Sequence, residues 1–438
     1  MKKYRWLAAV AALSMVVAAC GDGDGDGDGA TTVAGAGELE GTTVNIFGAF
    51  VSPEQEAFEA SIAPFEERTG IDIVYEGSGD FETQIPIRVE GGNAPDIAVF
   101  PQPGLANQFI DDYVDLTTFL TAEEVDAAFS PYLAGLVDRG DDSRVAGWLK
   151  VNSKSLIWYP VPEFEEAGYT IPATWDDLMA LQDQILADGN TPWCLTMESA
   201  GATGWVATDW MEDIMLRTAG PDGYDQWVAG DITFTDPEVK QAAELFGEVV
   251  FTEGAVFGGR DFILSDAYQN AQLPMFEDPP ACYLHRQGSF AASFFPEGVS
   301  APDDTNIFPF PAIEEGLPPA ALGGGDVFAM FEDRPEVRAV VEYLFTPEVG
   351  EIWAQQDAGF LSPHTEFDTS NYGNELQATI GESVKEALSA AAFRFGGSDA
   401  MPAAVGQGTF WTGMVQYIQN GPDNLDEVLD TIEASWPS

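Results

Sequence analysis

The sequence predicts an α/β protein of two lobes, with hinge strands, a ligand cleft and a helical C-terminus. Three observations predict this class. Residues 43–100 alternate strand and helix patterns, which is typical of a parallel α/β sheet. Later strand-like stretches predict crossings between lobes, and the chain from residue 375 onward has helical periodicity. At 438 residues the chain is long for one compact core, so two lobes of ordinary size are expected.

The first lobe is predicted to open with a βαβ unit. The strand TTVNIFGAF is followed by a helix with Ser52 at the N-cap, which Gly70 ends before the strand IDIVYE. A second helix is predicted over Phe81–Glu90 and a third strand over Asp96–Phe100. Ligands of parallel sheets bind beyond the carboxyl ends of the strands, so we expect contacts from the loops GAFVS, GSGD and PQPG.

Three later stretches predict crossings between the lobes. The first is VAGWLKVNSKSLIWY, where period-two alternation places Lys150, Asn152 and Lys154 on one face. The second is FPFPAIEEGLPPAALGGGDVFAMF, with its Pro/Gly-rich connection, and the third is GFLSPH. Several such strands predict a hinge-bending scaffold.

Further helices are predicted from their caps. Starts are expected after Thr174, after Asp209 with Glu212 completing a capping box, and after Thr235. The remaining helices are predicted over residues 335–345, 347–357, 375–391, 402–419 and 422–434.

The N-terminus has the pattern of an export signal. A positively charged start at residues 2–5 precedes an apolar run, residues 6–19, that is too short for a membrane span. The sequence VAAC at 17–20 resembles a bacterial lipobox, which implies removal of residues 1–19 and acylation of Cys20. Residues 20–40 then form a flexible Gly/Asp linker. A signal that is not lipidated, with a chance cysteine, is the alternative.

The composition is strongly acidic. Against 73 Asp and Glu stand 17 Lys and Arg, a formal net charge of -56. This charge repels nucleic acid and anionic lipid surfaces and favours neutral or cationic ligands. His285 and His364 are the two histidines, so a multi-histidine metal site is excluded, and we predict no metal and no cofactor.

Two cysteines remain beside Cys20. In an exported protein, Cys194 and Cys282 predict a disulfide, and two separate buried thiols are the alternative.

Four segments resemble one protein family, the type II extracellular solute-binding proteins of ABC importers, in the carbohydrate branch that includes maltose-binding proteins. The segments, in the family's order, are FEERTGIDIVYE, GGNAPDIAVF, TWDDL and GTFWTGMVQYIQNGPDNLDEVLDTIEAS. Within that branch, PWCLTMESAGATGWVATDWMEDIMLRT and DPPACYLHRQGSF resemble α-glucoside-binding members.

The resemblance implies a type II periplasmic-binding-protein fold. Lobe 1 is then expected to comprise residues 41–147 and 319–360, and lobe 2 residues 148–318 and 361–438. It also implies a lipid-anchored monomer on the extracytoplasmic face of the bacterial plasma membrane, which captures a carbohydrate by hinge closure and delivers it to a permease without chemical change.

Sugars present apolar C–H faces and a rim of hydroxyls, so their sites combine aromatic platforms with polar side chains. Trp411 matches a family position where an aromatic ring contacts sugar, while Trp193 and Trp205 lie in Gly/Ser/Thr-rich loops. For Trp193 and Trp205, packing around Cys194 is the alternative. The polar candidates, from loops after strands and from the crossings, are Asp80, Gln102, Asn152, Glu198, Arg286 and Asp326.

Two of these polar candidates have a structural alternative. Asp326 follows three glycines and also fits a turn or an N-cap, and Arg286 also fits a structural ion pair.

Two other functions remain open at the level of sequence. A glycan-active hydrolase needs only a pair of carboxylates, and a polyamine-binding protein of the same fold would suit the acidic charge. The motifs Gly-x-Ser-x-Gly, Gly-x-x-x-x-Gly-Lys and Gly-x-Gly-x-x-Gly do not occur in the sequence.

Overall fold

A computed structural model describes residues 39–317, 320–356 and 359–437. The predicted signal, Cys20 and most of the linker lie outside the described residues. None of the described helices is both long and apolar enough to cross a lipid bilayer. The strands are β1 Thr43–Gly48, β2 Asp72–Gly77, β3 Ile97–Phe100, β4 Ala146–Ser153, β5 Leu156–Pro160, β6 His285–Arg286, β7 Thr305–Pro309, β8 Ala321–Met330 and β9 Phe393–Phe395.

The α-helices are α1 Glu54–Thr69, α2 Phe81–Glu90, α3 Pro103–Ala106, α4 Ala122–Ala128, α5 Pro131–Gly135, α6 Val161–Glu166, α7 Trp175–Ala187, α8 Trp205–Thr218, α9 Gly220–Val228, α10 Pro237–Val250, α11 Gly259–Ser265, α12 Pro335–Leu344, α13 Glu348–Trp353, α14 Glu375–Ser389, α15 Gly397–Ala400, α16 Trp411–Asn420 and α17 Leu425–Glu433. A π-helical segment, Ala404–Phe410, leads into α16.

The first sheet has the strand order β2-β1-β3-β8-β4, with β9 paired to β8. Strand β1 is parallel to both neighbours, with Ile46 opposite Tyr75 on one side and Ile97 on the other. Strand β8 runs antiparallel to β3 and β4. The predicted parallel start of the fold is therefore confirmed, and β8 returns through its sheet in the opposite direction.

The second sheet is small, with the antiparallel order β6-β5-β7 and Ile157 opposite Phe308. Two residues separate β4 of the first sheet from β5 of the second, which confirms the first predicted crossing. The second crossing runs from β7 to β8, as predicted.

Two clusters of buried apolar side chains accompany the two sheets. Phe58 and Ile97 belong to the first cluster, and Trp210 and Phe246 to the second. The segment 361–438 contributes to both clusters. Its buried apolar side chains from Leu361 to Phe395 lie in the first cluster, and those from Met401 onward lie in the second. Helix α14 packs its apolar side against the first sheet.

Local capping was predicted with mixed success. The helix after Thr174 is confirmed, because the Thr174 hydroxyl accepts a hydrogen bond from the Asp177 amide in a capping box. The start at Asp209 is wrong, since α8 begins at Trp205, behind Gly204 at φ +120°, and buries Asp209 within it. The predicted caps Ser52 and Thr235 each lie one residue before the observed cap. The N-cap residue is Pro53 for α1 and Asp236 for α10.

The structure joins Cys194 and Cys282 in a disulfide with 5.4 Å between the Cα atoms. Both cysteines are buried. The bond ties the loop before α8 to the segment before β6, two parts of the chain 88 residues apart.

Candidate functional site

A cavity of about 420 Å³ lies where the first sheet meets the second part of the chain. All three loops that were expected to meet a ligand contribute to its lining: Phe50 after β1, Gly79 after β2 and Gln102 after β3. Parallel strands that end at one edge of a sheet bring their loops together there, so the topology itself assembles this wall.

The floor of the cavity comes from the crossing strands. Lys150, Asn152 and Lys154, the alternate residues predicted to share a face of β4, all line the cavity. Strand β8 contributes Gly324 and Asp326. A Cβ at Gly324 would lie 2.8 Å from the Lys154 Cε atom, so glycine provides the space for the lysine side chain.

The opposite wall is aromatic. The rings of Trp205 and Tyr268 meet edge to face with 5.1 Å between centroids, and Phe290 lies 6.0 Å from Trp205. All three rings line the cavity, and Phe50 reaches it from the loop after β1. Aromatic surfaces of this kind suit the apolar faces of a sugar ring.

Lys150 is held by two carboxylates from different elements. Its Nζ contacts Glu54 at the start of α1 and lies 3.6 Å from the Asp326 carboxylate. Burial opposes the charge of Lys150, but the two acids outweigh it and raise the lysine pKa. For the carboxyl group of Asp326, burial raises the pKa to about 7. Lys150 opposes this shift and Glu54 adds to it. Lys150, Glu54 and Asp326 thus form one buried ionic cluster.

Lys154 lies in a second cluster. Its Nζ is 2.8 Å from the Asp209 carboxylate on α8 and 3.0 Å from that of Asp399 on α15. Glu212, one helical turn after Asp209, accepts a hydrogen bond from the Ser398 amide. Burial, with Asp209 next in importance, raises the pKa of Glu212 to about 8. Asp209 and Glu212, whose spacing resembles a capping box, are therefore buried inside α8, where Asp209 pairs with Lys154 after the crossing strand β4.

Two acceptors in the cavity lack partners. The Gln102 amide nitrogen donates to Glu82 at 2.9 Å, which leaves the Gln102 Oε1 atom with no hydrogen-bond partner among the described residues. The Asn152 Oδ1 atom likewise has no hydrogen-bond partner among the described residues. Both side chains are buried, at 5% and 7% exposure. Buried acceptors are normally satisfied, so these two atoms indicate where a ligand or ordered water donates a hydrogen bond.

The segment 198–204 closes one side of the cavity against helix α2. Ala200 has a left-handed φ of 46°, and its amide donates to the Glu198 carboxylate at 2.9 Å. At the next residue, a Cβ on Gly201 would lie 2.6 Å from the Thr83 hydroxyl and 3.1 Å from an Asp80 oxygen. Such close packing across the cavity mouth favours glycine over a residue with a side chain.

The structure brings five predicted site residues together. Gln102, Asn152, Glu198, Trp205 and Asp326 line the cavity. The expectation of a turn or cap for Asp326 is replaced by its place in the Lys150 cluster.

Asp80 lies at the rim instead, beside Gly201. Trp193 is part of the second core, where its Nε1 donates to Gln182 at 2.7 Å. The alternative of packing near Cys194 therefore describes Trp193 better than ligand contact.

Arg286 and Trp411, also predicted as ligand contacts, are buried behind the cavity. The Arg286 guanidinium is 2.6 Å from the Asp213 carboxylate, so it forms the structural ion pair that was the alternative. Trp411 is 1% exposed at the start of α16, and its carbonyl oxygen lies 2.3 Å from where a Cβ on Gly204 would be. The backbone of the loop before Trp205 covers this position, which a family pattern in sequence does not reveal.

Sequence reasoning missed several cavity residues. For the lysines a signal existed in the alternation of β4, but for the acids on separate helices there was none. The missed charged and aromatic residues are Phe50, Glu54, Glu82, Lys150, Lys154, Tyr268, Phe290 and Asp399. Among the described residues, no group of three or more His, Cys, Asp or Glu side chains is arranged to hold a metal ion.

Comparison with known proteins shows the family to which this chain belongs. Residues 51–351 match the family described as bacterial extracellular solute-binding protein. The chain is 46% identical over 406 residues to the osmoprotective compounds-binding protein GgtB of Synechocystis sp., covering 92% of this chain and 94% of the relative. It is 39% identical over 412 residues to the alpha-glucosides-binding periplasmic protein AglE of Rhizobium meliloti, covering 92% and 88%.

Solved structures share the fold. The bacterial solute receptor AcbH has a TM-score of 0.76 at 16% identity, covering 90% of this chain and 98% of that one. Maltose-bound MalE3 of T. maritima has a TM-score of 0.70 at 14% identity, covering 90% and 99%. The chain belongs to the family of bacterial extracellular solute-binding proteins, the extracytoplasmic receptors of ABC importers. Its fold is the type II periplasmic-binding-protein fold that the resemblance predicted.

We expect the substitution Gly201→Val to hold the cavity mouth open. The added side chain meets the side-chain oxygens of Thr83 and Asp80 at distances shorter than van der Waals contact, and we expect this overpacking to move the segment away from α2. Small-angle scattering should give a larger radius of gyration than for the wild type. Gly135→Val is the control, because nothing lies within 4 Å of a Cβ at that position. An unchanged radius for Gly201→Val contradicts this account.

We expect the thermal stability of Glu212→Gln to decrease less with rising pH than that of the wild type. Between its ordinary pKa of 4.5 and about 8, Glu212 keeps a proton in the folded protein that the unfolded chain has lost. Raising the pH through this window therefore destabilises the wild type, whereas glutamine stays neutral. Calorimetric melting temperatures at pH 5, 7 and 9 measure the slope, with the exposed Glu238→Gln as control. Equal slopes for Glu212→Gln and wild type would refute the assignment.

Proposed function

We propose that this protein captures a small carbohydrate, an α-glucoside or a small oligosaccharide, and delivers it unchanged to the permease of an ABC importer. The observation that carries this proposal is the cavity itself. An aromatic wall formed by Trp205, Tyr268 and Phe290 shares the cavity with two buried acceptors, Gln102 Oε1 and Asn152 Oδ1, that have no hydrogen-bond partner in the described part of the chain. That is the combination of apolar platform and hydrogen-bonding rim that a sugar requires.

The size of the cavity supports a small ligand. Its volume of about 420 Å³ lies toward the lower end of the roughly 300–1,000 Å³ common for small-molecule sites. The names of the two relatives are consistent with this proposal, because one binds osmoprotective compounds and the other binds alpha-glucosides.

Capture is proposed to occur by closure of two lobes around the crossing strands. Side chains from the loops of the first sheet and from the segment 198–205 meet at one cavity, so a ligand there contacts both sides. A ligand with contacts on both sides stabilises the closed form relative to the open form. For the lobe boundaries we propose the predicted ranges, with residues 361–395 reassigned to lobe 1 because their apolar side chains lie in its core.

The N-terminal lipid anchor is also a proposal. It depends on the lipobox-like VAAC at residues 17–20, which lie outside the described residues. Acylation of Cys20 would hold the domain at the outer surface of the plasma membrane through the Gly/Asp linker.

Titration calorimetry tests the cargo. Purified protein is titrated with trehalose, sucrose, maltose, maltotriose and spermidine at low and high salt. We expect saturable binding of at least one sugar, insensitive to salt and without product over hours. Consumption of a sugar would establish the hydrolase instead. Binding of spermidine alone, weakening with salt, would establish the polyamine-binding protein.

The variant Trp205→Ala links that binding to the cavity. Loss of the ring should weaken sugar binding by about tenfold or more, because it removes the stacking surface. Trp436→Ala is the matched control, since Trp436 packs against Gly230 and does not line the cavity. Equal affinity of Trp205→Ala and wild type would place the sugar elsewhere.

Cys20→Ser tests the anchor. In cells that express the full chain, the wild type should sediment with membranes and incorporate labelled fatty acid, because acylation needs the thiol. The serine variant should do neither. Membrane association that persists in the variant would contradict lipid anchoring at this residue.

A further inference from the structure

We propose that the cavity binds polyhydroxylated ligands that carry a protonated amine, the chemistry of amino sugars, more tightly than the neutral parent sugars, and that it rejects sugar acids and sugar phosphates. This inference rests on the proposed function, because it takes the cavity as the carbohydrate site. Two independent observations carry it: an excess of carboxyl groups around the cavity, and buried acceptors that lack donors.

The carboxyl groups outnumber the cations. Two ammonium groups, those of Lys150 and Lys154, line the cavity. The acidic side chains that line it are Glu54, Glu82, Glu198, Asp326 and Asp399. Three of the five acids share the two lysines and Glu82 and Glu198 contact neither, so an added positive charge in the cavity is favourable.

Both lysines are already engaged by the protein. Lys150 is shared between Glu54 and Asp326, and its Nζ lies 4.7 Å from the centre of the Phe50 ring. The Lys154 ammonium contacts two carboxylates as well, and it lies 5.6 Å from the Trp205 ring. Neither lysine is available to neutralise an anionic ligand without losing a buried partner, and such a loss is costly.

Among the described residues, the fully buried cavity atoms without a hydrogen-bond partner are both acceptors. Gln102 Oε1 and Asn152 Oδ1 are more than nine-tenths buried and need a donor. The Gln102 amide nitrogen donates a hydrogen bond to Glu82. This bond fixes the orientation of the amide and leaves the Gln102 Oε1 atom to accept a hydrogen bond. Hydroxyl groups supply donors, and an ammonium supplies three donors together with the charge. A carboxylate or phosphate supplies acceptors alone and meets oxygen with oxygen.

Burial disfavours the ionised form of three of the cavity acids. Burial raises the pKa of Glu82 and Asp399, and it raises that of Asp326 to about 7 despite the neighbouring lysine. A ligand ammonium would stabilise the ionised form of these groups.

Matched sugars test the proposal by titration calorimetry. The glucose series is glucosamine, glucose and glucuronate, and the trehalose series is amino-trehalose, trehalose and trehalose 6-phosphate. Measurements at about pH 6.5 keep the amines protonated. We expect an amino sugar to bind about tenfold more tightly than its parent, and the acid and the phosphate not to bind.

Variants assign the preference to the cavity charge. Glu82→Gln removes one carboxylate and keeps an acceptor for Gln102, so we expect the preference for the amine, the ratio of amino-sugar to neutral-sugar affinity in the same variant, to fall severalfold. Glu198→Gln is a second variant at the mouth, which serves if Glu82→Gln does not fold. Glu253→Gln removes the same charge from an exposed position and should leave the preference unchanged.

The outcomes separate this inference from the proposed function. Amino sugars that bind no better than neutral sugars, or acids that bind equally well, would overturn the inference and leave the sugar carrier intact. Amino sugars that bind while every neutral sugar fails would support the inference and overturn the neutral cargo. Failure of all sugars would overturn both, and an unchanged preference in both cavity variants would overturn the role of the carboxylates.

Discussion

The ion pairs of Lys154 hold together the parts of the chain on which the cavity depends. This lysine lies between β4 and β5, where the chain leaves the first sheet, and it contacts Asp209 on α8 and Asp399 on α15. Three distant segments are thereby fixed at one point. A charge buried this deeply is tolerated only when paired, and removal of one partner typically costs about 3–5 kcal/mol. The segment between β4 and β5 is consequently tied by ion pairs to helices α8 and α15.

The ionic network continues away from the ligand. Behind Asp209, the Arg286 guanidinium contacts Asp213, which also pairs with Arg217 at 2.6 Å. Arginine suits this buried position because its planar group bonds several acceptors at once. The network explains why a receptor with a net charge of -56 buries Lys154 and Arg286, two of its few cations. They compensate acids that orient α8, and α8 in turn carries Trp205 into the cavity.

The two sides of the cavity have different chemistry. Loops of the first sheet and the crossing strands contribute both lysines and the amides of Gln102 and Asn152, while the second side contributes three of the four aromatic rings and the close-packed turn at Gly201. The proposed closure would bring the two sides together around a ligand with an apolar face and a polar rim.

The sequence by itself determined the elements whose signals are local. The βαβ start, the cap at Thr174 and the β4 alternation that aims Lys150, Asn152 and Lys154 at one face follow from periodicity and capping, and the family resemblance follows from short motifs. Tertiary structure alone decided which polar residues meet. Asp209 has the pattern of a helix cap but neutralises a lysine 55 residues away, and Trp411 fits a sugar-binding pattern but lies beneath Gly204. Long-range charge pairing and burial leave no periodic trace, because they depend on where distant segments pack.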